Sequence, residues 1–235
     1  MSNFWIGTSG YNYKEWRGPF YPPDLAESEM LKFYAQRFST VEINYTFYRM
    51  PNAKTIAGWD RETPARFCFA LKAPQRVTHH ARLRNVDEPL RYFLDTARGL
   101  GPKLGPILFQ LPPNFKKDPD RLGDLLALLP RDLRYAFEFR HPSWFADDVY
   151  ARLAAVNAAL CIADTGAEAP ALEATGDWGY LRLRDEGYTA ADLERWSGVV
   201  SRLGSRWRDT FVYFKHEESG TGPALARQFG ALLDG

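Results

Sequence analysis

Eight short runs of apolar, β-branched or aromatic residues recur from one end of this chain to the other. Each is followed by residues with helical spacing or turn chemistry, and few folds accept that order. The runs lie at residues 4–8, 40–44, 66–71, 105–111, 135–140, 159–163, 179–184 and 210–215. Helical spacing appears at 24–38, 52–62, 89–100, 119–129, 144–158, 190–203 and 223–233, whereas 165–177 carries no amphipathic stripe. Strand and helix in alternation predict a parallel sheet covered by helices. Eight such units in 235 residues predict an α/β fold of the TIM-type (β/α)8 kind, compact, with its helix reduced after strand 6. An open doubly wound sheet is the competing architecture, but Gly7–Thr8–Ser9–Gly10 is too short to serve as its dinucleotide fingerprint. No linker, low-complexity tract or charge run divides the chain, so residues 1–235 read as a single domain.

Strand phase then locates a candidate site. The outer face of a barrel strand lies under helices, so charged strand residues must face inward or sit at the carboxyl end, where such barrels keep their chemistry. Val41 and Ile43 alternate with Glu42 and Asn44. Phe67, Phe69 and Leu71 alternate with Cys68, Ala70 and Lys72, and Phe109 and Leu111 with Leu108 and Gln110. In the fifth run aromatics alternate with Glu138 and Arg140, and in the seventh Leu181 and Leu183 alternate with Tyr180, Arg182 and Arg184. Thr8 and Ser9, Asp164, and Lys215 with His216 complete a ring from the first, sixth and eighth runs.

That ring holds three carboxylates and five cations: Glu42, Glu138 and Asp164 against Lys72, Arg140, Arg182, Arg184 and Lys215. Guanidinium groups bind phosphate and carboxylate in fork geometry, so the excess predicts an anionic ligand. A net charge of +1 gives no global attraction to nucleic acid or membrane, which makes any anion site local. Glu138, His141 and Asp164 are the candidates for moving protons, and Thr8, Glu42, Asn44, Lys72, His79, Gln110, Arg140 and Arg182 for binding.

Plainer readings stand beside these. Glu138 and Arg140 suit a buried ion-pair network, His141 a brace for the Pro142–Ser143 turn, and His79 and His80 a solvated loop. The aromatics of Tyr11–Asn12–Tyr13 and Tyr45–Thr46–Phe47–Tyr48, set beside Lys14, Arg17 and Arg49, suit stacking on bases or sugars, or simply plugging the barrel top. No His-x-x-x-His or Cys-x-x-Cys spacing occurs and the cations repel a divalent ion, so no metal is expected and no cofactor is indicated. A glycosidase wants one carboxyl with a raised pKa, which neighbouring arginines oppose. Cys68 and Cys161 sit in apolar runs and are expected to be buried structural thiols. The first residues lack a basic and apolar leader and no run is long enough to cross a bilayer, so the expected compartment is the cytoplasm.

With these residues assembled, the chain resembles the YecE-like family, also called domain of unknown function 72. The resemblance is carried by Trp5–Ile6–Gly7–Thr8–Ser9–Gly10–Tyr11, Val41–Glu42–Ile43–Asn44 with Phe47–Tyr48, and Phe69–Ala70–Leu71–Lys72–Ala73–Pro74 with Thr78–His79. It continues through Leu108–Phe109–Gln110–Leu111–Pro112–Pro113, Phe137–Glu138–Phe139–Arg140–His141–Pro142–Ser143–Trp144, and Asp164–Thr165. It implies a TIM-type barrel, similar in shape to xylose isomerase and endonuclease IV, without implying an activity. Its motifs point at Lys72, His79, Gln110, Glu138, Arg140, His141, Asp164 and Arg182. Two stretches depart from the family pattern: Arg182–Leu183–Arg184–Asp185, where the family tends to histidine, and Tyr213–Phe214–Lys215–His216, where it tends to asparagine.

The expectation is therefore a barrel whose carboxyl rim binds a phosphorylated or otherwise anionic small molecule or nucleic-acid fragment, as a hydrolase or lyase. A non-catalytic nucleic-acid-binding module is the first alternative and a metal-dependent endonuclease-like or sugar-isomerase-like enzyme the second. No protein partner and no membrane association are indicated.

Overall fold

The structure, a computed structural model, describes residues 2–166, 170–218 and 220–233. Eight parallel strands close into a barrel in sequence order. They are β1 (Asn3–Ser9), β2 (Thr40–Ile43), β3 (Cys68–Lys72), β4 (Leu104–Gln110), β5 (Tyr135–Glu138), β6 (Ala159–Asp164), β7 (Gly179–Leu183) and β8 (Asp209–Phe214). β8 returns to β1 with Phe4 opposite Thr210 and Thr8 opposite Phe214. Every strand read from the sequence is present, because runs buried on both sides are apolar without interruption and stand out against the polar turns.

The outer helices are α1 (Met30–Ala35), α2 (Tyr45–Tyr48), α3 (Ala53–Arg61), α4 (Asp87–Ala97), α5 (Pro119–Leu128), α6 (Asp147–Ala154), α7 (Ala190–Gly204) and α8 (Thr221–Leu233). Local chemistry sets several starts. Asn52 accepts from the Thr55 amide before α3, Asp118 from the Arg121 amide before α5, and Thr189 and Asp192 cap α7 reciprocally. The first helix is shorter than the spacing over 24–38 suggests. Residues 26–29 are exposed and offer nothing to pack, so only a 3-10 turn at Glu27–Glu29 precedes α1. Trp144 likewise stays outside α6, stacked on Phe139 with ring centres 4.7 Å apart and its indole N–H donating to the Phe115 carbonyl at 2.7 Å. That wedge fixes the direction in which the chain leaves β5.

No helix follows β6 among the described residues, and 167–169 of the expected weak segment lie outside them. The connection returns instead along β6, where the Thr175 hydroxyl donates to the Ala158 carbonyl at 2.7 Å and accepts from the Leu160 amide at 2.8 Å. Backbone groups left over by the short β5–β6 pairing are satisfied in this way.

The barrel interior below the rim is filled. Trp5 stacks on Phe211, Trp178 meets Phe211 edge-on, and Tyr180 and Tyr213 lie above them among Cys68, Ala70, Leu108, Ala136 and Cys161. The Tyr213 hydroxyl pairs with Thr40 at 2.7 Å. Both thiols are buried as expected, and burial drives the Cys68 pKa up to about 12 and that of Cys161 upward as well. This plug leaves the carboxyl end as the polar mouth of the barrel. No described helix is long and apolar enough to cross a membrane.

Candidate functional site

Arg182 stands at the centre of that mouth, 1% exposed, and joins carboxylates from opposite sides of the barrel. Its Nη2 and Nε donate to Glu42 Oε1 at 2.9 and 3.2 Å, its Nη1 donates to Glu138 Oε2, and Nη2 also reaches Ser9 Oγ at 3.2 Å. Glu42 accepts further from the Tyr180 hydroxyl at 2.6 Å and from the Ser9 hydroxyl. Burial holds the Tyr180 phenol protonated, so it stays a donor. Asn44 Nδ2 donates to Ser9 Oγ at 2.8 Å. Buried charges require this degree of satisfaction, since each unpaired ion costs several kcal/mol.

Above this tripod lies a second tier of cations. Arg140 Nε donates to Glu138 Oε1 at 2.9 Å, and Arg184 Nη1 lies 3.9 Å from the same oxygen. Burial acts to raise the Glu138 pKa, but Arg182 and Arg140 outweigh it and hold the group at about 2. Glu138 therefore carries its charge at neutral pH and holds no proton to give. Among the described residues, Arg184 Nε and Nη1 are buried without a hydrogen-bond partner. Lys215, from the end of β8, reaches Glu217 at 3.6 Å. Two cavities flank the tier: one of 480 Å³ against Glu138, Arg140, Cys161 and Ala163, and one of 290 Å³ where Arg184, Lys215 and His216 face Glu186, Glu217 and Glu218.

Lys72 ends β3 with its ammonium 3.9 Å from the centre of the Phe47 ring, and the Thr46 hydroxyl donates to its carbonyl at 2.6 Å. Burial, and next the charge of Arg182, lower its pKa to about 7. His79 packs edge-on against the same Phe47 and pairs through Nδ1 with the Thr78 hydroxyl at 2.9 Å. Burial, then Lys72 and Arg140, hold its pKa down to about 4, so the ring is neutral at physiological pH. Gln110 lies in register with Glu138.

Glu42, Asn44, Lys72, His79, Gln110, Glu138, Arg140 and Arg182 thus converge on one mouth. Three other expected residues require correction. Thr8 points outward, its hydroxyl donating to the Gly10 carbonyl and the Tyr34 hydroxyl, and Ser9 takes the inward place. Asp164 also lies outside the ring. Its Oδ2 accepts from the Trp196 indole and the Tyr188 hydroxyl, both at 2.8 Å, and its Oδ1 from the Gly166 amide. It ties β6 to α7, while Ala163 faces the cavity. His141 Nδ1 accepts from the Ser143 amide at 3.2 Å and lies 2.8 Å from its hydroxyl, so it caps the turn after β5. The assignment of proton transfer to Glu138, Asp164 and His141 therefore loses its geometric support. Among the described residues, no three His, Cys, Asp or Glu side chains converge as a metal ion needs.

Asp164→Ala should cost about 2 kcal/mol, because it strands a buried indole N–H and a phenol. Urea unfolding checks the cost. If Asp164 is scaffold, anion binding at the rim stays unchanged in this variant, and a loss of binding at unchanged stability would return it to the site.

Comparison with known proteins supports the same frame. Residues 5–235 match the family described as "Protein of unknown function DUF72". The UPF0759 protein YecE of Escherichia coli K12 is 35% identical over 117 residues, which cover 49% of this chain and 43% of that protein. This chain thus matches less than half the length of that relative. The UPF0759 protein YunF of Bacillus subtilis is 25% identical, over 98% of this chain and 94% of its own length. A crystal structure of a DUF72 family protein from Thermotoga maritima superimposes with a TM-score of 0.90 at 26% identity, covering 99% of this chain and all of that one. One from Enterococcus faecalis gives 0.83 at 18% identity, over 98% and 95% of the two chains, a likeness of fold.

Proposed function

This chain belongs to the DUF72 family of proteins of unknown function, and from that premise we propose that its carboxyl rim binds a phosphorylated or otherwise anionic small molecule, in a hydrolase or lyase reaction. One observation carries the reading. Both ring carboxylates are already held by Arg182, yet Arg184, beside Arg140, has two buried nitrogens without an acceptor among the described residues. A scaffold that needed only neutrality would have matched its charges. Lys72, Arg140, Arg182 and Arg184 face Glu42 and Glu138 here, and the N–H donors left over on Arg184 suit the oxygens of a phosphate or carboxylate.

Inorganic phosphate tests this as a probe. Phosphate stabilises many proteins by exclusion from their surface, so the comparison is with Arg140→Ala/Arg184→Ala. At about a hundredfold excess over Kd, specific binding adds about 2.7 kcal/mol, or about 5–10 °C in Tm for a chain of this size. The gain should be confined to the unmutated protein. Equal gains in both proteins, or none in either, would contradict the reading.

The nucleic-acid alternative draws on Tyr48, 71% exposed, and Tyr45, 43% exposed, beside Arg49. Backbone binding makes affinity for single-stranded DNA fall steeply with salt, and a titration without binding removes that alternative. The metal-dependent alternative has no donor set to rest on among the described residues.

A further inference from the structure

Lys72 is a rim cation whose nearest partner among the described residues is a ring face rather than an anion. Its ammonium lies 3.9 Å from the Phe47 centroid, and no carboxylate among the described residues comes within 4 Å of it. Two carboxylates share its mouth, but both are turned elsewhere: Glu42 to Arg182, Tyr180 and Ser9, and Glu138 to Arg182 and Arg140. The side chain is 8% exposed and its base is pinned, since Thr46 grips the Lys72 carbonyl while Phe47 from the same turn covers the amine. A structural lysine in a ring with two glutamates would be expected to pair with one. This one is held away from both, within reach of the charges of Arg182 and Arg140.

We propose that Lys72 is a nucleophilic amine that condenses with the carbonyl of a small aldehyde or ketone carrying a carboxylate or phosphate. The proposal rests on the anion reading above, with Arg140 and Arg184 holding the charged end. The Nζ lone pair forms a bond to the carbonyl carbon, and the carbonyl oxygen takes a proton to give a carbinolamine. That hydroxyl then leaves as water while nitrogen loses its protons, so amine and carbonyl become imine and one water with no net redox change. Protonation of the imine makes it an electron sink for cleaving a bond next to the former carbonyl, which is lyase chemistry.

The charges around Lys72 favour the first step. Burial, Arg182 and Arg140 disfavour the ammonium, with Glu138 and Glu42 opposing them, and the pKa falls to about 7. About half of the side chain is then a free amine at neutral pH, against roughly one part in a thousand for an ordinary lysine. His79, which packs edge-on against the same Phe47, is neutral and adds no competing charge.

Reductive trapping tests this on the full chain. The protein is incubated separately with glyoxylate and with dihydroxyacetone phosphate, then with cyanoborohydride, and the adduct is mapped by peptide mass. The expected result is one adduct, on Lys72, with one of the two probes. It should be suppressed by inorganic phosphate and by Arg140→Ala/Arg184→Ala, and absent in Lys72→Arg. The probe that labels tells carboxylate from phosphate. Mapping in the unmutated protein carries the test even if Lys72→Arg fails to fold. Labelling spread over surface lysines, or none with either probe, overturns the imine, and a phosphate-induced rise in Tm that survives in that case leaves the anion reading standing. A Lys72 adduct indifferent to phosphate and to the two arginine substitutions overturns the anionic end of the proposal.

Discussion

Replacing Arg182 with Met should cost about 3–5 kcal/mol of stability, the largest loss expected from any single rim substitution. The substitution preserves most of the side-chain volume but leaves Glu42 and Glu138 buried, 0% and 1% exposed, without the cation they share. Their remaining partners differ. Glu138 keeps Arg140, whereas Glu42 keeps only the Tyr180 and Ser9 hydroxyls and so bears most of the penalty. In a chain of this length the loss corresponds to a fall of about 6–20 °C in Tm. Adding Glu42→Gln should recover part of it, because the stranded charge disappears, and that non-additivity separates a network from independent contacts. Urea unfolding of the two single variants and the double variant checks the point. Additive losses would mean that Arg182 and Glu42 do not act as a pair.

The second large effect is on acid stability and belongs to Glu138. Its pKa in the folded chain is held near 2 by Arg182 and Arg140 against burial, below the ordinary 4.5 that it regains on unfolding. A depressed folded pKa means that the stabilisation is complete above about pH 4.5 and is lost as pH falls from there toward 2. That difference corresponds to about 3 kcal/mol. Glu138→Gln removes the titrating group, so its stability should be lower at neutral pH and should fall less steeply between pH 4.5 and 2. Other carboxylates titrate in that window, Asp192 on the surface among them, so the difference between the two proteins is the informative quantity. Parallel acid limbs in the two proteins would show that Glu138 is not held by the guanidinium groups as the geometry indicates.

Strand phase made most of this site legible in the sequence. Glu42, Lys72, Gln110, Glu138, Arg140, Arg182 and Arg184 share one phase with respect to their apolar neighbours, and alternation turns them all to the same side of a closed sheet. Thr8 and Asp164 share only nearness to a strand end with these residues, and they face the other way. Leu160 and Ile162 are the outward residues of β6, which places Asp164 outward as well, and Thr8 shares the phase of Phe4 and Ile6. The alternation selects Ser9 over Thr8 and Ala163 over Asp164.

Other features left no trace in the linear sequence. That Arg182 rather than Arg140 spans both carboxylates depends on which strands face each other across the mouth. The Tyr180 bond to Glu42 links residues 138 positions apart. Phe47 over Lys72 requires the one-turn helix α2, too short for any periodicity to reveal. The reverse held for the fold, because eight apolar runs separated by turn and helix patterns leave little freedom in how they close.

We propose that the guanidinium donors above the Arg182 tripod make the barrel mouth an anion site. Crystals soaked in selenate and measured at the selenium edge address it in one map. A strong anomalous peak is expected within hydrogen-bonding distance of Arg140 and Arg184. A map whose selenate peaks all lie elsewhere on the molecule, with the mouth holding only water, would contradict it.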